Sequence, residues 1–155
     1  MPIEPARRSP PRDDITSHII DAALQIHRDL GPGLLESVYE SLLARELVRR
    51  GLHVERQKPI DFEYRGEVFR EAFRVDLLVE HAVVVELKSV EQIASVHTKQ
   101  LLTYLKLANA PVGLLINFGG VTLKEGLKRV VNSCSLTYES RPAAMRHLPR
   151  ANALS

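Results

Sequence analysis

The chain has 155 residues, 45% of them hydrophobic and 26% charged, with a formal net charge of +2; this is one domain's length, with room for a core, and excludes a fibrous or largely disordered protein. No apolar run approaches a membrane span, and the opening Met-Pro-Ile-Glu-Pro-Ala-Arg-Arg lacks the apolar stretch of a signal peptide, so a cytoplasmic protein that does not enter the membrane is expected. The single cysteine, Cys134, excludes an internal disulfide and a Cys-rich zinc site, and six histidines without an H-x₃₋₅-H pair disfavour zinc altogether.

Residues 1–12, with four prolines and Arg7, Arg8 and Arg12, read as a disordered leader of net charge +2, and residues 140–155, with Arg141, Arg146 and Arg150, as a flexible basic tail of net +3. A total of +2 therefore leaves the body, residues 13–139, at −3, so overall basicity is no argument for nucleic-acid binding. Cys134 has no nucleophile signature around it and reads as a small, partly buried side chain.

Asp13 or Asp14 is a plausible N-cap, and Ile15, Ile19, Ala22 or Ala23, Ile26 and Leu30 recur at the helical period. Gly31-Pro32-Gly33 ends that helix. A second helix is expected from Leu34 to Arg50, stopped by Gly51, with Val38, Leu42, Leu43 and Leu47 apolar and Glu36 and Tyr39 on an inward-leaning face. A glutamate in a first turn is explained by the helix dipole alone. His18 and His27 read as surface or packing residues.

Short strands follow at His53–Arg56, Ile60–Tyr64 and Val68–Phe73, the last two joined by a turn at Arg65-Gly66. The stretch Phe73–Val90 holds two Val- and Leu-rich runs around a polar break at Glu80-His81, the pattern of two antiparallel strands and a tight turn. A third helix is expected from Ser95 to Ala108, packing through Val96, Leu101, Leu105 and Ala108, with His97, Gln100 and Tyr104 as a polar stripe. Val112–Phe118 reads as a buried strand, parallel to the Val83 strand through a right-handed crossover. Leu123–Val131, with Lys124, Lys128 and Arg129, fits a final strand or a short helix. The expected architecture is α/β, a mixed central sheet flanked by helices.

The charges embedded in Phe73–Val90 do not belong to a plain hairpin. Asp76 opens the first run; Glu86 and Lys88 close the second and, two residues apart in a strand, point to the same face. Pairing through the break brings the strand carrying Asp76 alongside the strand carrying Glu86 and Lys88, in a register the sequence does not fix, so that the three are candidates for one small site. Two carboxylates of this kind suit Mg²⁺ or Mn²⁺, and the lysine adds positive charge beside an attacking water or a scissile phosphate.

Asp76 followed by Glu86-Leu87-Lys88 resembles the D…(D/E)-x-K signature of the PD-(D/E)XK nuclease superfamily, with Val75 where its name would place proline. Gly33-Leu34-Leu35-Glu36-Ser37-Val38-Tyr39 resembles the motif of the small GxxExxY family within it, and Gln100-Leu101-Leu102-Thr103-Tyr104 resembles the QxxxY element of its RecB-like branch. The resemblance covers about residues 14–132, and three motifs in order are far more specific than the first alone. It implies a restriction-endonuclease-like core and a Mg²⁺- or Mn²⁺-dependent nuclease acting on nucleic acid, with DNA the expected substrate. Asp76, Glu86, the Leu87 carbonyl and, through water, Glu36 would hold the metal; Lys88 would serve catalysis; Gln100 and Tyr104 would hold substrate or brace Lys88. A homodimer is compatible with this. The alternative is a non-catalytic module of the same fold that binds nucleic acid or a protein.

Overall fold

In the computed structural model, which describes residues 11–133, three helices enclose a five-stranded mixed sheet. Residues 1–10 of the leader, Cys134 and the basic tail lie outside the described residues. The helices are α1 (Arg12–Leu30), α2 (Glu36–Arg49) and α3 (Ser95–Ala108); the strands are β1 (Val54–Tyr64), β2 (Glu67–Val79), β3 (Val83–Lys88), β4 (Val112–Asn117) and β5 (Leu127–Val131). Their order in the sheet is that of the chain. β3 and β4 run parallel, and every other neighbouring pair is antiparallel.

The crossover from β3 to β4 contains α3, which covers one face of the sheet through Leu101 and Leu105 packed with Val75, Val84 and Leu115. On the other face, Ile15, Ile19, Ala22, Ala23 and Ile26 of α1 and Tyr39, Leu43 and Leu47 of α2 pack on Leu77, Val79, Val83, Val85, Leu87, Leu114 and Ile116. Covered on both sides, β3 and β4 carry apolar residues in near-continuous runs where a half-exposed strand would alternate. Gly113 permits the close approach of α3: a Cβ there would lie 2.9 Å from Leu101 Cδ1. Among the described residues no helix is long and apolar enough to cross a membrane.

Several boundaries differ from the sequence reading, each for a local reason. Helix α1 starts two residues earlier than a cap at Asp13 implies, with Pro11 at the cap position; neither Asp13 nor Asp14 caps it, and both lie in the first turn, where their charge suits the dipole. Helix α2 starts at Glu36, because Leu35 is extended. Val38 and Val96, expected to pack, are 39% and 61% exposed, since the buried stripe of α2 runs through Tyr39, Glu40, Leu43, Ala44 and Leu47 and that of α3 through Leu101 and Leu105. His53–Arg56 and Ile60–Tyr64 join into one edge strand: Pro59 is tolerated at the sheet margin, and the intervening Gln57 takes a left-handed φ of 49° without changing register. Val68–Phe73 and the first run of the central hairpin are likewise one strand, β2, with a register shift opposite Ile60–Phe62. Leu123–Val131 contains both elements considered, a 3₁₀ turn (Lys124–Gly126) and then β5.

Candidate active site and metal centre

The register of β2 and β3 pairs Leu77 with Val85, Leu78 with Val84 and Val79 with Val83. One step further, Asp76 meets Glu86, and there side chains take over from the backbone ladder. The Asp76 N–H donates to Glu86 Oε1 (3.1 Å), and the Leu87 N–H donates to Asp76 Oδ2 (2.8 Å). Each carboxylate thus has one oxygen held by the other strand's backbone, which fixes both where the strands part. Lys88 follows, half-buried at the end of β3 and close enough for its charge to act on Glu86.

Burial decides the electrostatics. Glu86 is only 9% exposed, and its carboxyl is pushed up to about 8, first by burial and next by the charge of Asp76; the Asp76 N–H and Lys88 oppose the shift, and Glu36 adds to it. Two carboxylates that resist joint ionisation form a donor set of hard oxygens, and a divalent cation reverses that repulsion. The residues present therefore fit Mg²⁺ or Mn²⁺.

The glycine-containing turn before α2 carries Glu36 toward this place. The Tyr39 hydroxyl, buried and stacked on Phe118 at 4.3 Å, donates to Gly31 O (2.5 Å) and accepts from Leu34 N–H (3.3 Å), while Ser89 Oγ, just past Lys88, donates to Leu34 O (2.7 Å). Gly33 supplies the φ of 113° that the turn requires. In the stretch Gly33–Tyr39, then, glycine makes the turn, tyrosine latches it and Glu36 begins the helix beside the end of β3. Glu36 itself is exposed.

Across the site, Tyr104 of α3 stacks on Phe73 with ring centroids 4.2 Å apart, and Gln100 Nε2 donates to its hydroxyl (2.9 Å). The Tyr104 phenol is raised above its ordinary pKa, mainly by burial and then by the charges of Glu86 and Asp76, with Gln100 opposing. Gln100 and Tyr104 are thus one hydrogen-bonded pair beside the carboxylates. His97 turns back to its own helix start, where its Nδ1 accepts from Ala94 N–H (3.2 Å).

Three further residues belong to this arrangement. Glu40 of α2, 6% exposed, accepts from Arg56 Nε (3.2 Å) and from Gln57 Nε2 (2.7 Å); the same Gln57 amide reaches Asp76 Oδ1 at 3.2 Å. A left-handed non-glycine backbone is uncommon, and here it serves to aim one amide at two carboxylates. Glu40 was legible in part, since it lies three and seven residues before Leu43 and Leu47 on the buried stripe; nothing local marked Gln57. Asn117, 2% exposed at the end of β4, accepts from Val90 N–H (3.0 Å) and Gly119 N–H (3.0 Å) and donates to Val90 O (2.8 Å). With the Phe118 N–H donating to Lys88 O (2.8 Å), it secures the segment that leaves Lys88. A groove of about 720 Å³ lined by Pro59, Ile60, Asp61, Arg70, Glu71, Leu107 and Ala108 contains none of these residues.

A mixed sheet whose antiparallel pair parts at two facing carboxylates, with a lysine two residues on, defines a restriction-endonuclease-like α/β protein. Comparison with protein families gives the same answer: the model of the PD-(D/E)XK nuclease superfamily matches residues 13–130, and the chain belongs to that superfamily, whose members are usually nucleases dependent on a divalent metal. No curated protein and no solved structure matches the chain.

Proposed function

We propose that the protein is a Mg²⁺- or Mn²⁺-dependent nuclease of the GxxExxY type that hydrolyses phosphodiester bonds of DNA in the cytoplasm. The observation that carries the reading is the reciprocal clasp of Asp76 and Glu86, two acidic groups brought to one place with Lys88 beside them. Asp76 and Glu86, with the Leu87 carbonyl, would hold the metal, and Glu36 would contribute through water. When bound, a divalent ion supplies Lewis-acid charge at the phosphate and to the attacking water.

The chain's own groups do the rest. Lys88 orients the water or offsets the charge developing on the phosphorus oxygens, which is where a fixed ammonium counts most. Gln57 and the Leu87 N–H hold Asp76 in position, so its carboxylate is set before any ligand arrives. Gln100 and Tyr104 hold the substrate or brace Lys88.

The test uses labelled single- and double-stranded DNA and RNA with Mg²⁺ or Mn²⁺. Cleavage is expected in the parent, and Lys88→Met, which keeps the stem and removes the charge, is expected to lower the rate about a hundredfold or more while the fold and Mn²⁺ affinity persist. A mutant that cleaves as fast as the parent removes Lys88 from the chemistry. A parent inert with every metal and substrate points to the binding module instead.

A further inference from the structure

Away from the carboxylate pair, at the opposite end of the β2–β3 hairpin, His53, Glu55 and His81 come together. One ligand-capable atom of each lies within 4.8 Å of the others, the one such group of three among the described residues. His53 and Glu55 are two apart in an extended segment and so share a side. His81 arrives from the turn between β2 and β3. Both Glu80 and His81 are left-handed there, with φ of 51° and 54°, and the Ala82 N–H donates to Val79 O (3.0 Å) to close the turn. A clasp holds this turn against the start of β1: the Glu80 N–H donates to His53 O (2.9 Å), and the His53 N–H donates to Glu80 Oε1 (2.7 Å).

The donors themselves point to a ligand. The two imidazoles stack with centroids 4.5 Å apart. Lys58 Nζ donates to Glu55 Oε1 (3.0 Å) and, as the leading cause, keeps this carboxyl below its ordinary pKa, hence anionic. The other oxygen, Oε2, is buried and accepts no hydrogen bond among the described residues, and His81 Nδ1 stands 3.6 Å from it. A buried carboxylate oxygen without a hydrogen bond is a cost that proteins seldom leave uncompensated.

We propose that His53, Glu55 and His81 form a second metal site, one that takes Zn²⁺. Two imidazole nitrogens and one carboxylate oxygen are a three-protein-ligand zinc set, with water completing a tetrahedron. Bonds of about 2.0–2.1 Å set tetrahedral donors roughly 3.4 Å apart, so small rotations of the exposed imidazoles complete the site. Mg²⁺ prefers oxygen donors and is not expected to compete here. Lys58 occupies only one carboxylate oxygen and leaves the other to the ion. A bound Zn²⁺ would staple the hairpin turn to the entry of β1.

The experiment uses the full chain in millimolar Mg²⁺, which loads the oxygen-only site, and titrates Zn²⁺ by calorimetry, with Co²⁺ absorption as a report on ligand type. One Zn²⁺ per chain is expected in the parent and in Asp76→Asn. His81→Asn, whose new residue tolerates the left-handed backbone, and Glu55→Gln should each weaken Zn²⁺ at least about tenfold; using both covers a variant that fails to fold. Binding lost in Asp76→Asn but kept in the His81 and Glu55 variants assigns the ion to the carboxylate pair and overturns the proposal. So does a parent that takes up no Zn²⁺. The readout is zinc binding, so it stands or falls independently of DNA cleavage.

Discussion

Without metal, protonation of Glu86 should govern how the fold responds to pH. Its carboxyl lies at about 8 in the folded protein against 4.5 as the ordinary value. A group whose pKa is raised on folding contributes stability that is complete below the unfolded value and is lost as pH rises through the folded one. Between these limits the folded chain holds a proton that the unfolded chain has released, and stability falls by up to ~1.4 kcal/mol per pH unit. From pH 5.5 to 7.5 that is on the order of 2 kcal/mol, or a fall in Tm of roughly 5–10 °C for a domain of this size. Glu86→Gln keeps an oxygen for the Asp76 N–H and cannot titrate, so its profile in chelating buffer should lack this slope. Adding Mn²⁺ displaces the proton: affinity should rise with pH up to about 8, and calorimetry in two buffers of different ionisation enthalpy should register close to one proton released per ion near pH 7. Parallel stability profiles for the parent and Glu86→Gln across this range would refute the reasoning.

Gln57→Gly removes the amide that joins Glu40 to Asp76 and relieves the left-handed backbone; Mn²⁺ affinity by calorimetry should fall about tenfold with little change in Tm. Asn117→Ala leaves the part-buried N–H and carbonyl of Val90 without their side-chain partner, and urea unfolding should show a loss of about 1–2 kcal/mol. In Gly119→Ala the new Cβ would lie 2.3 Å from Val90 O, a backbone atom, so a loss of about 1–3 kcal/mol is expected by the same measurement, together with a slower cleavage rate as the segment after Lys88 shifts. Asp76→Ala should abolish Mn²⁺ binding in a calorimetric titration while leaving a folded protein by circular dichroism.

The sequence by itself determined the three helices, the hairpin turns and the order in which helical and extended segments appear, while strand continuity in β1 and β2 was settled by pairing. Helical periodicity marked α1 and α3, Arg65-Gly66 and Glu80-His81 marked the hairpin turns, and the apolar run Val112–Phe118 announced a buried strand. Asp76, Glu86 and Lys88 were visible because charge inside such a run conflicts with burial, and alternation set Glu86 and Lys88 on one face. What the sequence left open, and tertiary structure decided, was who meets whom. Alternation says which way a strand residue points and nothing about the register against its neighbour; here the register carries Asp76 to Glu86. Periodicity likewise leaves a helix's rotation loose by a residue or so. Stacking of Tyr39 on Phe118 sets that rotation in α2, buries Glu40, and leaves Glu36 at the exposed first turn. The histidines make the same point: a hairpin turn folds His81 back onto His53 and Glu55, because strand pairing brings together residues that no linear motif connects.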